Sequence, residues 1–298
     1  MATDYKVQDH HVIQFTQNVE LLLQQKQPRL AGTTSSASYI GEKAQVIKQF
    51  GEVEFEDFVA GDAAGQWKGD TKWGEIAHYQ RWVYPNDQVL SLPAAKGDDM
   101  RMLGDPRSSY TEAMRAAYAR KYDDFIITAA TGVAKTGKYN DPVDVPLPAG
   151  QIVADGGTGL TLDKLLEAKK ILMAAENDPA EERYFACSEQ QLNDLLKTNQ
   201  VQSADYNTIR ALVRGEIDTF VGFKFVPTER LLMTPGTPNV RHCFAWVKSG
   251  LHAGTWNGLE THVDRRSDKN YVWQVWMSFT MGATRTQEKK VVQVNCAE

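Results

Sequence analysis

The stretch from Asp105 to Thr131, DPRSSYTEAMRAAYARKYDDFIITAAT, constrains this chain more than any other. Asp105 offers a side-chain acceptor to the first free N–H groups of a helix, Pro106 suits the first helical position, and Gly132 stops it. Between these signals Tyr110, Ala113, Met114, Ala117, Tyr118, Tyr122, Phe125, Ile126 and Ala129 recur at spacings of three and four, which places them on one stripe. Arg107, Glu112, Arg115, Arg120 and Asp124 fall on the opposite face. About 25 residues at 1.5 Å each make a rod of roughly 38 Å. A rod that long with one apolar side has to be covered along its length, so the pattern predicts the structural spine of a domain.

Much of the remaining chain reads as strand. Over Gly41–Leu92, AQVIKQFGEVEFEDF and HYQRWVYPNDQVLSL alternate apolar and polar residues, and GDAAGQWKGDTKWGE lies between them as a turn-rich tip. Two strands around such a tip predict a long hairpin, which cannot bury both faces on itself and needs a partner surface. Trp67 and Trp73 near the tip are natural anchors for that partner. After proline-rich loops, Thr161 caps a helix over Leu162–Glu176, Arg183–Cys187 forms a short strand, and Ser188 with Gln191 makes a capping box for a helix through Lys197. TFVGFKFVPTERLL then reads as one core strand ended by Pro227. In it Phe220, Phe223 and Phe225 fill space, Gly222 permits close approach of another backbone, and Thr228, Glu229 and Arg230 lead into a polar loop. In Tyr271–Gly282 the apolar residues Tyr271, Trp273, Val275, Met277, Phe279 and Met281 share one face at period two. The fold class is α+β.

The first forty residues are different in texture. Val12–Gln27 has a partly helical apolar pattern that includes Phe15, Leu22 and Leu23, then Pro28 and the polar GTTSSAS follow. Such a segment is too short for its own core. It either docks on its own domain or reaches a neighbouring subunit.

No chemistry emerges from the side chains. GVAKTGKY (Gly132–Tyr139) has P-loop spacing, but Tyr139 stands where Ser or Thr must reach a metal, and a helix precedes it where a strand is required. DGGTG before Thr161 reads as a turn in front of a capped helix, with anion binding as the weaker reading. Cys187, Cys243 and Cys296 are widely spaced, with neither CxxC nor Cys/His ligand spacing, so no zinc site and no disulfide framework is expected. Cys187 sits at a strand-to-helix junction where a thiolate can be stabilised, yet no His lies within fifty residues. Adjacent Asp123 and Asp124 point in different directions on a helix and make no acid/base pair. No catalytic residue, cofactor or metal is expected. A formal charge of −5 over 298 residues argues against a broad basic face gripping nucleic acid. The start, MATDYKVQDHHVIQF, lacks a cationic lead and apolar core, so no signal peptide is expected. No apolar run reaches the ~20 residues of a membrane span. The expectation is a soluble chain, intracellular at synthesis, whose function lies in surfaces and shape.

The order of these elements resembles the major capsid protein of tailed double-stranded DNA phages, the Hong Kong 97-type fold. FGEVEFEDF and HYQRWVYP resemble the strands of its extended loop, and DPRSSYTEAMRAAYARKYDDFIITAATG resembles its spine helix. RYFACSEQQLNDLL followed by GEIDTFVGFKFVPTERL resembles its axial region, and VDRRSDKNYVWQVWMSFTMGATRTQEKKVVQVN its closing strands, where GATR before an apolar strand is frequent. The resemblance covers nearly the whole chain through order and texture. It implies an N-terminal arm over 1–41, an extended loop over 42–92, a peripheral domain over 93–181 and 263–298 with its spine helix over 106–131, and an axial domain over 182–262.

By that resemblance, copies form hexamers and pentamers and enclose packaged double-stranded DNA through weak, non-specific contact. A portal protein, a separate scaffolding protein and an optional decoration protein are the further partners, and no membrane is involved. The location is the virion, after assembly in the host cytoplasm. Candidate inter-subunit contacts are Phe15, Leu22, Leu23, Trp67, Lys68, Trp73, Glu229 and Arg230. Some family members join subunits by a Lys–Asn bond. Lys68 and Lys72 are the lysines near the loop tip, with no matching Asn and Glu identified. An encapsulin-like compartment and an unrelated enzyme using Cys187 are the alternatives.

Overall fold

The computed structural model describes residues 25–42, 44–51, 53–55, 75–94, 106–138, 141–197 and 219–298. The candidates Phe15, Leu22, Leu23, Trp67, Lys68 and Trp73, and the cap expected at Asp105, lie outside those residues. The described chain runs β1 (Ser35–Ser38), β2 (Ala44–Phe50), β3 (His78–Val83), β4 (Asn86–Ala94), α1 (Pro106–Thr131), β5 (Ala134–Lys138), β6 (Asp141–Val145) and β7 (Ile152–Val153). It continues through α2 (Leu162–Ala174), β8 (Arg183–Cys187), α3 (Glu189–Lys197), β9 (Thr219–Phe220), β10 (Phe223–Pro227) and β11 (Met233–Thr234). β12 (Val240–Val247), β13 (Leu251–Arg266), β14 (Val272–Arg285) and β15 (Val291–Ala297) close it. Two compact units result: one of Met1–Pro28, Asp87–Lys121 and Asn257–Phe279, the other of Arg29–Asn86, Tyr122–Trp256 and Thr280–Glu298.

The larger unit holds a seven-stranded sheet whose path is β7-β15-β12-β8-β10-β9, with β11 on β12. Strand β8 lies between β12 and β10, and all of RYFAC is buried, which is why that stretch shows no alternation. The sheet joins β15, from the last part of the chain, to β12 and β8, so it crosses the boundary drawn from sequence between 182–262 and 263–298. Phe185, Phe223, Phe244 and Trp246 fill the core with Leu165 and Leu172 of α2.

Thr219–Pro227 forms a hairpin instead of the single strand its alternation predicts. Val221 and Gly222 take φ of 54° and 85°, and β9 turns back with Phe220 opposite Phe223. Two successive positive φ values make the tight turn that matches strand twist, and glycine accepts one of them without strain. Gly222 therefore serves its dihedral and not a close backbone approach: a Cβ there would meet only Lys169, at 3.8 Å or more. HYQRWVYPNDQVLSL is likewise broken, at Tyr84 and Pro85. Strand β3 pairs antiparallel with β2, Phe50 opposite His78, whereas β4 lies beside β14. Strands β5 and β6 extend the β2–β3 pair to four.

Helix α1 ends at Thr131, and its buried seam runs through Ala116, Ala119, Asp123, Ile126, Ile127 and Ala130. A carboxylate lies in the middle of that seam. Asp123 is fully buried, and its two oxygens accept hydrogen bonds from the backbone N–H groups of Arg29 and Leu30, at 2.9 and 3.0 Å. Leu30 enters the large core, Thr33 accepts a hydrogen bond from the Trp246 indole, and β1 runs parallel to β13. From Arg29 onward the segment expected as an arm is thus built into its own subunit.

The other end of α1 is held by the GATR stretch. A Cβ on Gly282 would lie 2.1 Å from the Tyr84 carbonyl oxygen, so only glycine fits. Arg285 is fully buried and donates to the carbonyls of Ala130 (3.1 Å), Gly132 (2.8 Å) and Val145 (3.0 Å). Its positive charge meets carbonyls at the helix C-terminus, which lack donors of their own and carry partial negative charge. Glu288 lies 3.7 Å from the Arg285 Nε and accepts two hydrogen bonds from Arg81 of β3.

In the smaller unit Met114 of α1 is buried with Val275 and Met277 of β14, and Leu92, Tyr110 and Leu259 pack around them. The Tyr118 ring stands edge-on to Phe279, centroids 4.7 Å apart. Gln274 donates to Ser91 across β14 and β4 at 2.6 Å, and Lys26 pairs with Glu112 at 3.2 Å. The period-two face expected in Tyr271–Gly282 is met by Val275, Met277, Phe279 and Met281, which are buried, whereas Tyr271 is exposed.

Asp123→Ala strands the buried Leu30 N–H, costing about 1–3 kcal/mol, and the part-buried Arg29 N–H, costing less. We expect a stability loss of about 2–5 kcal/mol by denaturant titration, against less than about 1 kcal/mol for the exposed Asp144→Ala. Arg285→Met is expected to cost at least about 3 kcal/mol, since it leaves the carbonyls of Ala130, Gly132 and Val145 without their buried donor.

Candidate functional site

Burial decides the question of cysteine chemistry. Cys187, Cys243 and Cys296 have no exposed surface. Burial pushes the thiols of Cys187 and Cys243 well up, so they are held as protonated thiols and not as nucleophiles. Among the described residues no group of three or more His, Cys, Asp or Glu side chains could hold a metal. The P-loop-like GVAKTGKY contributes Ala134–Lys138 to β5, with its backbone committed to the ladders with β3 and β6. At DGGTG a cation occupies the place where an anion would have been sought. Lys164 Nζ donates to the carbonyls of Asp155, Thr158, Gly159 and Asn295, while Thr161 caps α2 by accepting from the Lys164 N–H. No helix among the described residues is long and apolar enough to cross a membrane.

Glu229 and Arg230 are the candidate contact residues within the described chain, and both work inside their own subunit. Arg230 makes a two-pronged ion pair with Asp124 on α1, at 2.7 and 2.6 Å, tying the loop after β10 to the spine. Glu229 accepts the backbone N–H of Glu189 at 2.9 Å, satisfying a free donor at the start of α3. Ser188 and Gln191 complete the capping box: the Ser188 N–H donates to the Gln191 side chain at 2.8 Å. Arg241 of β12 bridges this corner, donating to the Glu229 carbonyl and to both carboxylate oxygens of Glu298. Sequence reasoning missed Asp123, Lys164, Arg285 and Glu298 as the groups that organise these corners. The one visible signal was a charged residue at an apolar-seam position, which Asp123 and Arg285 share.

Two exposed apolar features remain. The loop end of the β2–β3 pair shows Phe50, Val53, Phe55 and Ile76 to solvent, with Phe55 fully exposed at 107%. On the smaller unit a groove of about 230 Å³ lies between β4, α1 and β14, bounded by Val89, Leu90, Ala117, Tyr118, Met277 and Lys121. The buried Met114 and Phe279 also line it, while Ala117 and Tyr118 of the helical stripe are half-buried here.

Burial is the largest influence on the Glu298 carboxyl and opposes ionisation, but hydrogen bonds from Arg241, Gln191 and Ser188 together hold it below the ordinary glutamate value. A lowered folded-state pKa contributes stability that is present above the unfolded value, near 4.3, and lost as pH falls through the folded one. Glu298→Gln is therefore expected to lower stability at neutral pH and to flatten its acid-side decline, measured by urea midpoints between pH 3 and 7.

The model of the phage capsid protein family matches residues 7–298 of this chain. No curated protein matches it in sequence. Among solved structures, the capsid of Ralstonia phage GP4 superposes with a TM-score of 0.73 at 10% identity, covering 100% of this chain and 98% of that one. The capsid of cyanophage P-SCSP1u gives 0.69 at 17% identity, covering 98% and 94%. The capsid of a native GTA particle gives 0.67 at 12% identity, covering 100% of both chains. The long helix α1 and the mixture of helices and strands agree with these matches. The chain belongs to the phage capsid protein family, with the Hong Kong 97-type fold and the structural, non-enzymatic role of a major capsid protein.

Proposed function

We propose that this capsid protein assembles as hexamers and pentamers into an icosahedral shell around packaged double-stranded DNA. The observation that carries this reading is a family match over nearly the whole chain. In it the residues ahead of Arg29 supply the arm and 42–92 the extended loop rising from the β2–β3 pair, while the peripheral region (93–181 with 263–298) and the axial region (182–262) share one sheet through β15, β12 and β8. Contacts between subunits then fall to Phe15, Leu22, Leu23, Trp67, Lys68 and Trp73, with Glu229 and Arg230 shaping the axial corner. The net charge of −5 supports weak contact with DNA, because a strongly basic lining would hold the genome against release. A portal protein, a separate scaffolding protein and an optional decoration protein complete the particle, which forms in the host cytoplasm.

Electron microscopy of the chain co-expressed with a scaffolding protein is the direct test. Closed shells or ring-shaped hexamers are expected, and a strictly monomeric product under every condition would overturn the reading.

The arm is tested by deletion of residues 1–24, which leaves the N–H donors of Arg29 and Leu30 in place for Asp123. Loss of closed particles with a melting temperature within a few degrees of wild type is the expected result. Unchanged assembly would remove the arm from the interface. A deletion reaching Ala31 would instead destabilise the subunit, because it also takes Leu30 out of the core.

A further inference from the structure

His252, near the start of β13, is buried, and both of its ring nitrogens are held by the segment that carries β1. Ser35 Oγ lies 2.9 Å from Nδ1 and the Tyr39 hydroxyl 2.8 Å from Nε2, so the ring grips β1 at its first residue and just past its last. Counting protons fixes the tautomer. Ser35 has one hydroxyl proton and donates it to the Leu251 carbonyl at 2.9 Å, so it accepts from the Nδ1–H, and Nε2 accepts from the Tyr39 hydroxyl. The Tyr39 ring lies close over β13: a Cβ on Gly254 would come within 3.0 Å of it, and the Trp256 ring is 5.4 Å away between centroids. Beyond its ladder to β13, β1 has little else to hold it. It is the edge of its sheet, and Ser36, Ala37 and Ser38 are exposed.

We propose that His252 is an acid-operated latch whose protonation releases β1 and Tyr39 from β13. This is independent of the shell-forming reading, because every group involved belongs to one subunit. A proton taken up from solvent goes to Nε2, which then donates, so the Tyr39 hydroxyl must turn to accept. The ring becomes a cation in a site that supplies no counter-charge. Residues 33–40 and 251–256 contain no Asp, Glu, Lys or Arg, and Tyr39 is the other titratable group they bring to the ring. Around them, Lys248 is exposed, Glu181 and Lys290 meet at Ser249, Arg285 holds the end of α1, and Glu288 holds Arg81. Burial keeps the ring below the ordinary histidine value, with no neighbouring charge adding to it. The neutral ring therefore supports closure above the open-state value, about 6.5, and that support is lost as pH falls through the lowered closed-state value. Detaching a short edge strand of small residues is the cheapest way to hydrate the cation.

The test is amide hydrogen exchange of the full-length chain between pH 7.5 and 5, corrected for the intrinsic pH dependence of exchange. Peptides covering 33–40 report the latch, and peptides covering β12 serve as the internal reference. A ring that is neutral when closed and titrates near 6.5 when open shifts the opening equilibrium by up to about 30-fold at pH 5. Protection of 33–40 is expected to fall about tenfold or more relative to β12. His252→Gln can still donate and accept but takes up no proton, and is expected to remove this acid loss. Tyr39→Phe takes away the donor that the neutral Nε2 uses, and is expected to move the midpoint of release to higher pH. It keeps the proposal testable if His252→Gln frees β1 at every pH. Protection of 33–40 that follows β12 down to pH 5 overturns the latch. So does an acid loss that persists in His252→Gln, or a midpoint that Tyr39→Phe leaves in place.

Discussion

A single buried carboxylate organises how this subunit begins. Asp123 lies in the middle of the seam that α1 turns toward the large core, where an unpaired charge would be expelled. It is kept there because two consecutive backbone N–H groups, from Arg29 and Leu30, converge on its oxygens. These are charge-assisted hydrogen bonds in a dry setting, stronger than their neutral counterparts. The interaction sets where the N-terminal segment stops being free and becomes part of the body. Leu30, Thr33 and β1 then follow in register along the core and β13.

Arg285 plays the matching part at the helix C-terminus. The orphan carbonyls of a buried helix end need donors, and one guanidinium reaches three carbonyls from the last turn of α1 and the end of β6. The same residue approaches Glu288, which also holds Arg81, so the hairpin strand β3 is fastened to the region where the helix ends. Gly282 allows β14 to come close enough to Tyr84 for this to happen. The long helix is thus fixed chemically as well as by packing.

With Asp123, Glu229, Arg230, Arg285 and Glu298 bonded inside the subunit, exposed apolar side chains are among the features left for partners. Glu229 and Arg230 close a helix cap and a spine contact, and Glu298 is taken up by Arg241 and the capping box. What projects outward is the hairpin with Phe50, Val53 and Phe55, and what is left open is the groove lined by Met114, Tyr118 and Met277. Large exposed side chains grouped along one hairpin mark an interaction surface more clearly than scattered single ones do.

Periodicity and end signals were legible in the amino-acid sequence itself. They located α1 to its last residue, the strand Arg183–Cys187, the capping box at Ser188 and the buried face of β14, because each depends on neighbours within one turn or two residues. The order of those elements was enough to carry a family resemblance. Only the tertiary structure decided that TFVGFKFVP bends at Val221 and Gly222, that HYQRWVYPNDQVLSL divides between two sheets, and that Asp123, Lys164 and Arg285 are internal fasteners. It also decided that Glu229 and Arg230 serve their own chain. Asp123, Glu229, Arg230 and Arg285 bond to groups 40 to 155 residues away in sequence. A local pattern records whether a side chain prefers water, but whether a charge finds its partner inside is settled only when distant backbone arrives beside it.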